Sequence, residues 1–526
     1  MTIRQHKLPA QHVVAIPYPA QGHINPMLQL CHQLAPLGFT FTFVNTQHIH
    51  NRVQDAKSAD VKEAQAHAGG DEDAKANNIE INTLEIQAQQ RNDPIRMVFV
   101  EGGCAPEVHA HVSTIVEAFM AAQEMKEQAE QLISDIMEEQ SVAFILTDIL
   151  LGWSEATANK FGLPWVCFWS ASAATCAAFI YFADLGEQGR MTVPIADKQD
   201  IEEVPTIEGI AGLPPTRLHD VPKVWDDEGK VHHGFLNYFQ RAQSASFLLF
   251  NTFTELEGEV LQALKSKGYP TLAVGPLLPA RYICPNKTAS KLELDGAHES
   301  VLCRSSLFRE DRSCLQWLDT QEPSSVLFIS FGSISARSPE QLEELALAVE
   351  ATGCPFLWVR KPDVLAGFTP ETSAQYCGRR ENGLIVPWAP QLEVLSHPAV
   401  GGFVTHCGWN SVMESVAMGV PMLCWADNGE RMSNQRFVVE FWKCGLDVVS
   451  DGQRRYKQNI EESALVRRDE IERAIRVLML EEAGAPIRAR AASLRHSATL
   501  AFGNGRSQFN YFVESIRDQK ILRDAI

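Results

Sequence analysis

The sequence predicts an α/β protein built on two doubly wound parallel sheets, and three observations carry that reading. The chain has 526 residues, 45% of them hydrophobic. That is too long for one ordinary core and too apolar for disorder, so two domains of roughly 200 to 250 residues are expected, with a ligand cleft between them. Strand and helix periodicities alternate from the first segments onward, the pattern of parallel sheets covered by helices on both faces. After a stretch without periodicity the alternation starts again.

Each element follows from its local pattern. HVVAIP is a short apolar run, after which Ile24, Met27, Leu28, Cys31, Leu34 and Ala35 recur at helical spacing, and FTFTFVN supplies a second strand. VAFILTD (142–148), a helical segment to Phe161 and LPWVCFW repeat the plan. The second series begins at VLFISFGS (326–333), passes through a helix from Pro339 to Thr352, and continues with PFLWVR, GLIVPW, GGFVTH and VPMLCW. Between the two series lies a Pro-, Lys- and Ser-rich linker and variable loop. The expected division is residues 1–275, a linker at 276–313, and a second domain at 314–505. The polar segment 58–78 reads as a surface insertion. In the tail 506–526, Phe509, Phe512, Val513 and Ile516 have helical spacing suited to packing across either domain.

Composition narrows the function. The formal charge of -19 is spread along the chain, which argues against nucleic acid or an anionic membrane as partner. Any phosphate must therefore be held by local donors. Twelve cysteines occur without a CxxC pair and several fall in apolar runs, so a reducing, cytoplasmic compartment fits best. The start of the chain lacks the charged and apolar regions of a secretory signal, and the apolar stretch Ala171 to Ala183 is too short to span a bilayer. GxGxxG after a strand, GxxxxGK[ST], GxSxG and HExxH are all missing, so the dinucleotide-fold dehydrogenase, P-loop, serine-hydrolase and zincin readings lose their warrant.

One segment suits an anion. In GGFVTHCGWNSVMESVAMGVP a strand ends near His406, Gly408 removes side-chain bulk, and a helix begins near Trp409. A helix start offers unpaired N–H groups and partial positive charge, to which Asn410, Ser411 and His406 add donors, so a diphosphate fits. An ordinary capped helix is the competing explanation. Glu414, one turn on, could accept from ribose hydroxyls, or be a solvated surface residue. Trp388 follows a strand and precedes a helix start at Gln391; it could stack on a nucleobase, and core packing is equally open. Near the N-terminus, His23 sits where the first strand gives way to the first helix, and Asp148 ends a later strand. A neutral imidazole there suits removal of a hydroxyl proton, with Asp148 orienting the ring; a structural His and a helix-capping Asp are the alternatives.

The run WAPQLEVLSHPAVGGFVTHCGWNSVMESVAMGVPMLCWADNGER, Trp388 to Arg431, resembles the 44-residue signature box of the plant family 1 UDP-glycosyltransferases without a gap. The resemblance implies the GT-B architecture of two facing Rossmann-like domains. It implies that Trp388 stacks on uracil, that Ala389 pairs with it through its backbone, and that Gln391 and Glu414 hold the ribose. His406, Asn410 and Ser411 would bind the diphosphate beside Gly408, Trp409 would lie beside the sugar, and Ser333 would touch the β-phosphate. His23 and Asp148 match the family's catalytic base and its partner. Gly22, next to His23, and Ser170 belong to the donor site, Ser170 through a hydroxyl on the sugar.

The box departs from the family at its end. Asp-Gln or Glu-Gln usually grips the sugar hydroxyls, and here Glu430 and Arg431 stand there. Guanidinium donates only and carries a fixed charge. Three roles for Arg431 follow, in order of preference: donation to a glucose hydroxyl, pairing with a glucuronate carboxylate, or pairing with an acid such as Asp427. The expectation is an inverting transferase moving a hexose, by default from UDP-glucose, to a hydroxyl of a small lipophilic acceptor, without a metal or prosthetic group and as a monomer. The acceptor pocket is expected in parts of 90–110, 168–182 and 185–235. A non-catalytic nucleotide-sugar-binding protein and a nucleotide-sugar isomerase or epimerase are the rivals.

Overall fold

A computed structural model describes residues 11–47, 49–51, 93–100, 119, 122–187, 206–207, 212–214, 216–217, 230–284, 309–332, 337–360, 378–379, 382–427, 429–449, 465–503 and 506–518. Ser333, the insertion 58–78, most of the variable loop and the last eight residues lie outside them.

Among the described residues two seven-stranded sheets dominate. The first is ordered β3-β2-β1-β4-β5-β8-β9, from β1 (Gln11–Ile16), β2 (Phe39–Thr46), β3 (Ile95–Val100), β4 (Val142–Asp148), β5 (Trp165–Trp169), β8 (Phe247–Phe250) and β9 (Thr271–Ala273). Every neighbouring pair in it is parallel. A small antiparallel ribbon joins β6 (Thr206–Ile207) and β7 (Thr216–Arg217). The second sheet is ordered β12-β13-β11-β10-β14-β15-β16, from β10 (Val326–Ser330), β11 (Phe356–Val359), β12 (Gly378–Arg379), β13 (Gly383–Val386), β14 (Val400–Thr405), β15 (Met422–Cys424) and β16 (Gly445–Asp447). It is parallel except for β12 on β13. These are the two Rossmann-like domains of the expected GT-B architecture. Strand β3 lies inside a stretch assigned to acceptor-binding loops; in IRMVFV Arg96 is exposed while Ile95 and Val100 are buried, a pattern too short to stand out.

The helices connect these strands. Those of the first half are α1 (Gln21–Leu34), α2 (Lys126–Glu139), α3 (Ser154–Phe161), α4 (Ala173–Glu187), α5 (Lys230–Arg241) and α6 (Thr254–Ser266). The second half has α7 (Pro339–Thr352), α8 (Gln391–Ser396), α9 (Trp409–Met418), α10 (Glu430–Arg436), α11 (Arg468–Met479), α12 (Ala485–Phe502) and α13 (Ser507–Arg517). No helix of the described residues is long and apolar enough to cross a membrane.

In each sheet the strand order reverses at one point, between β1 and β4 and between β10 and β14. A crevice opens there because the following connections leave in opposite directions. His23 and Asp148 belong to the first crevice, and His406 and α9 to the second.

The tail settles on the first domain. Phe512, fully buried, meets Phe144 and Phe247 edge-on with ring centroids 6.2 and 5.4 Å away. Gln508 Oε1 accepts from the Ala273 amide at 2.7 Å, and Arg517 donates to the Leu37 carbonyl. Burying one such ring stabilises the junction by about 1.5–3 kcal/mol.

Candidate active site

Register explains how residues 125 positions apart meet. Ile16 pairs with Thr147, so the turn after β1 and the end of β4 leave the sheet side by side. His23 Nδ1 lies 2.7 Å from Asp148 Oδ2. The other carboxylate oxygen accepts from the Leu150 amide at 3.0 Å, and Asp148 is fully buried. Ser170, just beyond β5, puts its Oγ 2.8 Å from the same Nδ1. A carboxylate only accepts, so this network assigns the proton to Nδ1 and leaves Nε2 as the acceptor. Burial pushes the His23 pKa down, but the charge and hydrogen bond of Asp148, with Glu430 behind them, outweigh it and raise the pKa above 6.5. Tyr18 and Trp169 flank the ring, with centroids at 5.1 and 6.4 Å. The sequence reading gave Ser170 to the sugar; its hydroxyl here faces the imidazole.

The second crevice is shaped by glycines. Cys407 adopts φ 64°, a strained value outside glycine, and turns the chain sharply between β14 and α9. Gly408 is the N-cap of α9 and has no side chain to cap that end. A Cβ on Gly408 would lie 2.6 Å from His406 Nε2, and one on Gly332 2.5 Å from His406 Cε1. The imidazole is thus held in a slot that only glycines leave open. Burial, and then the charge of Arg431, push its pKa down to about 3, with Asp427 opposing and Arg337 adding to the fall. His406 is neutral at any physiological pH.

Further along α9, Gln391 Nε2 donates to Ser411 Oγ at 3.0 Å and to Glu414 Oε2 at 2.9 Å. Burial raises the Glu414 pKa to about 7 despite that hydrogen bond. Trp388 is half-buried, its carbonyl accepting from the Asp311 amide at 2.8 Å, and Ala389 is buried behind it. These residues are brought together along α8 and α9.

Hydrogen bonds join the halves across the cleft. Trp409 Nε1 donates to the Asn251 carbonyl at 2.9 Å, and Trp442 Nε1 to the Leu256 carbonyl at 3.2 Å. Asn410 Nδ2 donates to the Gly22 carbonyl at 2.8 Å. That carbonyl is available because its helical partner would be the amide of residue 26, and Pro26 has none. Trp409, expected beside the sugar, is buried and spends its indole N–H on the other domain. Asn410 and Gly22, both assigned to the donor, bind one another.

Glu430 begins α10 close to both catalytic halves. Its carboxylate accepts from the Trp409 amide and lies within the field of His23, and burial raises its pKa. Arg431 Nη1 donates to Asp427 Oδ1 at 2.5 Å, the pairing placed last among the three roles expected for it. Arg337, which the sequence reading passed over, reaches the same Asp427 at 3.4 Å. Among the described residues no cluster of three or more His, Cys, Asp or Glu could hold a metal.

Residues 308–450 match the family described as UDP-glucoronosyl and UDP-glucosyl transferase, and residues 10–191 match the glycosyltransferase N-terminal domain. Similar curated proteins include UDP-glycosyltransferase 85A2 of Arabidopsis thaliana, 33% identical over 96% of this chain and 97% of its own. The 7-deoxyloganetin glucosyltransferase of Catharanthus roseus is 30% identical over 93% and 92%. Among solved structures, a UDP-glucosyltransferase from Polygonum tinctorium superposes with a TM-score of 0.71 at 25% identity, covering 97% of this chain and all but 1% of that one, since 99% of it is matched. Phytolacca americana UGT2 gives 0.71 at 24% identity over 97% of this chain and 100% of that one, a likeness of fold.

Proposed function

The chain belongs to the UDP-glycosyltransferases, and on that premise we propose that it transfers glucose from UDP-glucose to a hydroxyl of a small lipophilic acceptor, with inversion. The hydrogen bond between His23 and Asp148 is the observation that carries the mechanism. With Nδ1 occupied, His23 Nε2 takes the acceptor's hydroxyl proton as its oxygen forms a bond to the anomeric carbon. The bond from that carbon to the β-phosphate oxygen breaks, its electron pair leaving with UDP. Attack opposite UDP turns an α-linked donor into a β-glycoside. The positive charge developing on His23 is met by Asp148, and the negative charge developing on the departing diphosphate by the start of α9, Ser411 and the His406 N–H. These dipoles supply the stabilisation a metal would otherwise bring, and we assign none to the site.

Trp388 and Ala389 are assigned to the uracil, Gln391 and Glu414 to the ribose, Ser333 to the β-phosphate and Glu430 to the sugar. Asn410 would leave Gly22 to reach the diphosphate. Glucose is supported by relatives named as glucosyltransferases. The division at 1–275, 276–313 and 314–505 is retained as a proposal, as are a monomeric state and a cytoplasmic setting. Free thiols at every described cysteine fit that setting.

The test is UDP release over a panel of phenolic and terpenoid alcohols. Wild type should release UDP only with acceptor present, and His23→Ala should bind UDP normally while turnover falls about 10²- to 10⁴-fold. Wild-type turnover in His23→Ala would refute the assigned base. UDP binding without acceptor-dependent release by the wild-type protein would favour a non-catalytic binder.

A further inference from the structure

Two buried arginines beside the donor site share one carboxylate. Asp427 Oδ1 accepts from Arg431 Nη1 at 2.5 Å and its Oδ2 lies 3.4 Å from Arg337 Nη1, with side chains only 5%, 14% and 9% exposed respectively. Arg337 is fixed from other sides too. Its Nη2 donates to the Trp425 carbonyl at 2.5 Å, and its guanidinium carbon lies 4.9 and 5.5 Å from the Phe331 and Trp425 ring centres. Its Nε is buried without a hydrogen bond.

A guanidinium does not shed its proton in a protein, so burying two of them against one carboxylate is costly unless another anion visits. Glu430, another nearby carboxylate, accepts from the Trp409 amide and lies in the fields of both His23 and Arg431. Position identifies the visitor. Arg337 follows β10 and Asp427 follows β15, the neighbours of β14 on either side, and His406 follows β14 itself. The arginines therefore border the diphosphate site, where their charge is felt by His406 and helps keep it neutral. A neutral imidazole offers an N–H but no charge, whereas the β-phosphate gains a full negative charge as the sugar departs.

We propose that Arg337 and Arg431, bridged by Asp427, form a cationic subsite for the β-phosphate of the departing nucleoside diphosphate, with Asp427 setting how tightly that product is held. The inference rests on the donor reading above and extends it. Because the charge it meets is larger in the product and transition state than in the donor, the subsite assists bond breaking more than donor binding.

UDP and UMP titrated into the full chain test this, in wild type, Arg431→Gln, Arg337→Leu and Asp427→Asn. Each arginine variant should weaken UDP about tenfold, the size of one charged hydrogen bond, and change UMP less than about twofold. Asp427→Asn should tighten UDP and sharpen product inhibition. That opposite sign protects the test, since misfolding cannot produce a gain in affinity. Equal losses for UDP and UMP, unchanged UDP affinity in both arginine variants, or weaker UDP binding in Asp427→Asn would each overturn the proposal. So would arginine variants that leave UDP binding intact and instead lose a wild-type preference for UDP-glucuronate over UDP-glucose. A wild-type protein that binds no UDP would sink the donor reading itself.

Discussion

Gly408→Ala isolates the slot that holds His406. The backbone there, φ -60° and ψ 141°, is open to alanine, so the only conflict is the new Cβ at 2.6 Å from His406 Nε2, where ordinary contact begins at 3.4 Å. The ring must retreat by the difference, about 0.8 Å, in a slot where Gly332 also approaches it closely. A misplacement of about 1 Å at a reacting site costs about 10²-fold, or about 2.7 kcal/mol. We expect kcat to fall about 10- to 10²-fold and UDP affinity to weaken, while thermal unfolding moves little. The assay is steady-state UDP release together with calorimetric UDP binding, on Gly408→Ala, His406→Ala and the double variant. Removing the ring removes the clash, so the double variant should match His406→Ala alone instead of adding the two losses. Additive losses, or a Gly408→Ala enzyme with wild-type kcat and UDP affinity, would refute the slot.

Two further outcomes follow from geometry already given. Asp148→Asn removes the charge that holds the His23 pKa above 6.5 and leaves burial, which lowers it. The base works deprotonated, so the acidic limb of the kcat-pH profile should move to lower pH while the plateau falls; a limb that stays in place would count against the pairing. Phe512→Ala should cost the N-terminal domain about 3–5 kcal/mol in urea unfolding although it touches no site residue, and a loss under about 1 kcal/mol would contradict the packing described.

Much of the architecture was legible because it rests on local periodicity. Val142–Asp148 and Pro339–Thr352 are bounded where their residues suggest, and the strand-turn-helix at Thr405 to Trp409 is as read. His23 and Asp148 were legible as a pair because one lies in the first turn of the helix after β1 and the other ends β4, on opposite sides of the switch point. What escaped depends on partners distant in sequence. The bond from the Trp409 indole to the Asn251 carbonyl and the contact of the Ser170 hydroxyl with His23 carry no sequence signal, because each partner lies more than a hundred residues away. Arg337 carried no signal, because its meaning comes only from Asp427 and Arg431 at the end of another strand.

Pro26 shows how a small omission organises the whole molecule. By withholding one amide it leaves the Gly22 carbonyl of the helix bearing His23 unfinished, and the missing donor arrives from Asn410, 388 residues beyond Gly22, in the helix that starts at Trp409. The helix that carries His23 and the helix that starts at Trp409 are thus fastened to one another through a single side-chain amide, so the two crevices are held in register by a bond that neither helix could make within itself.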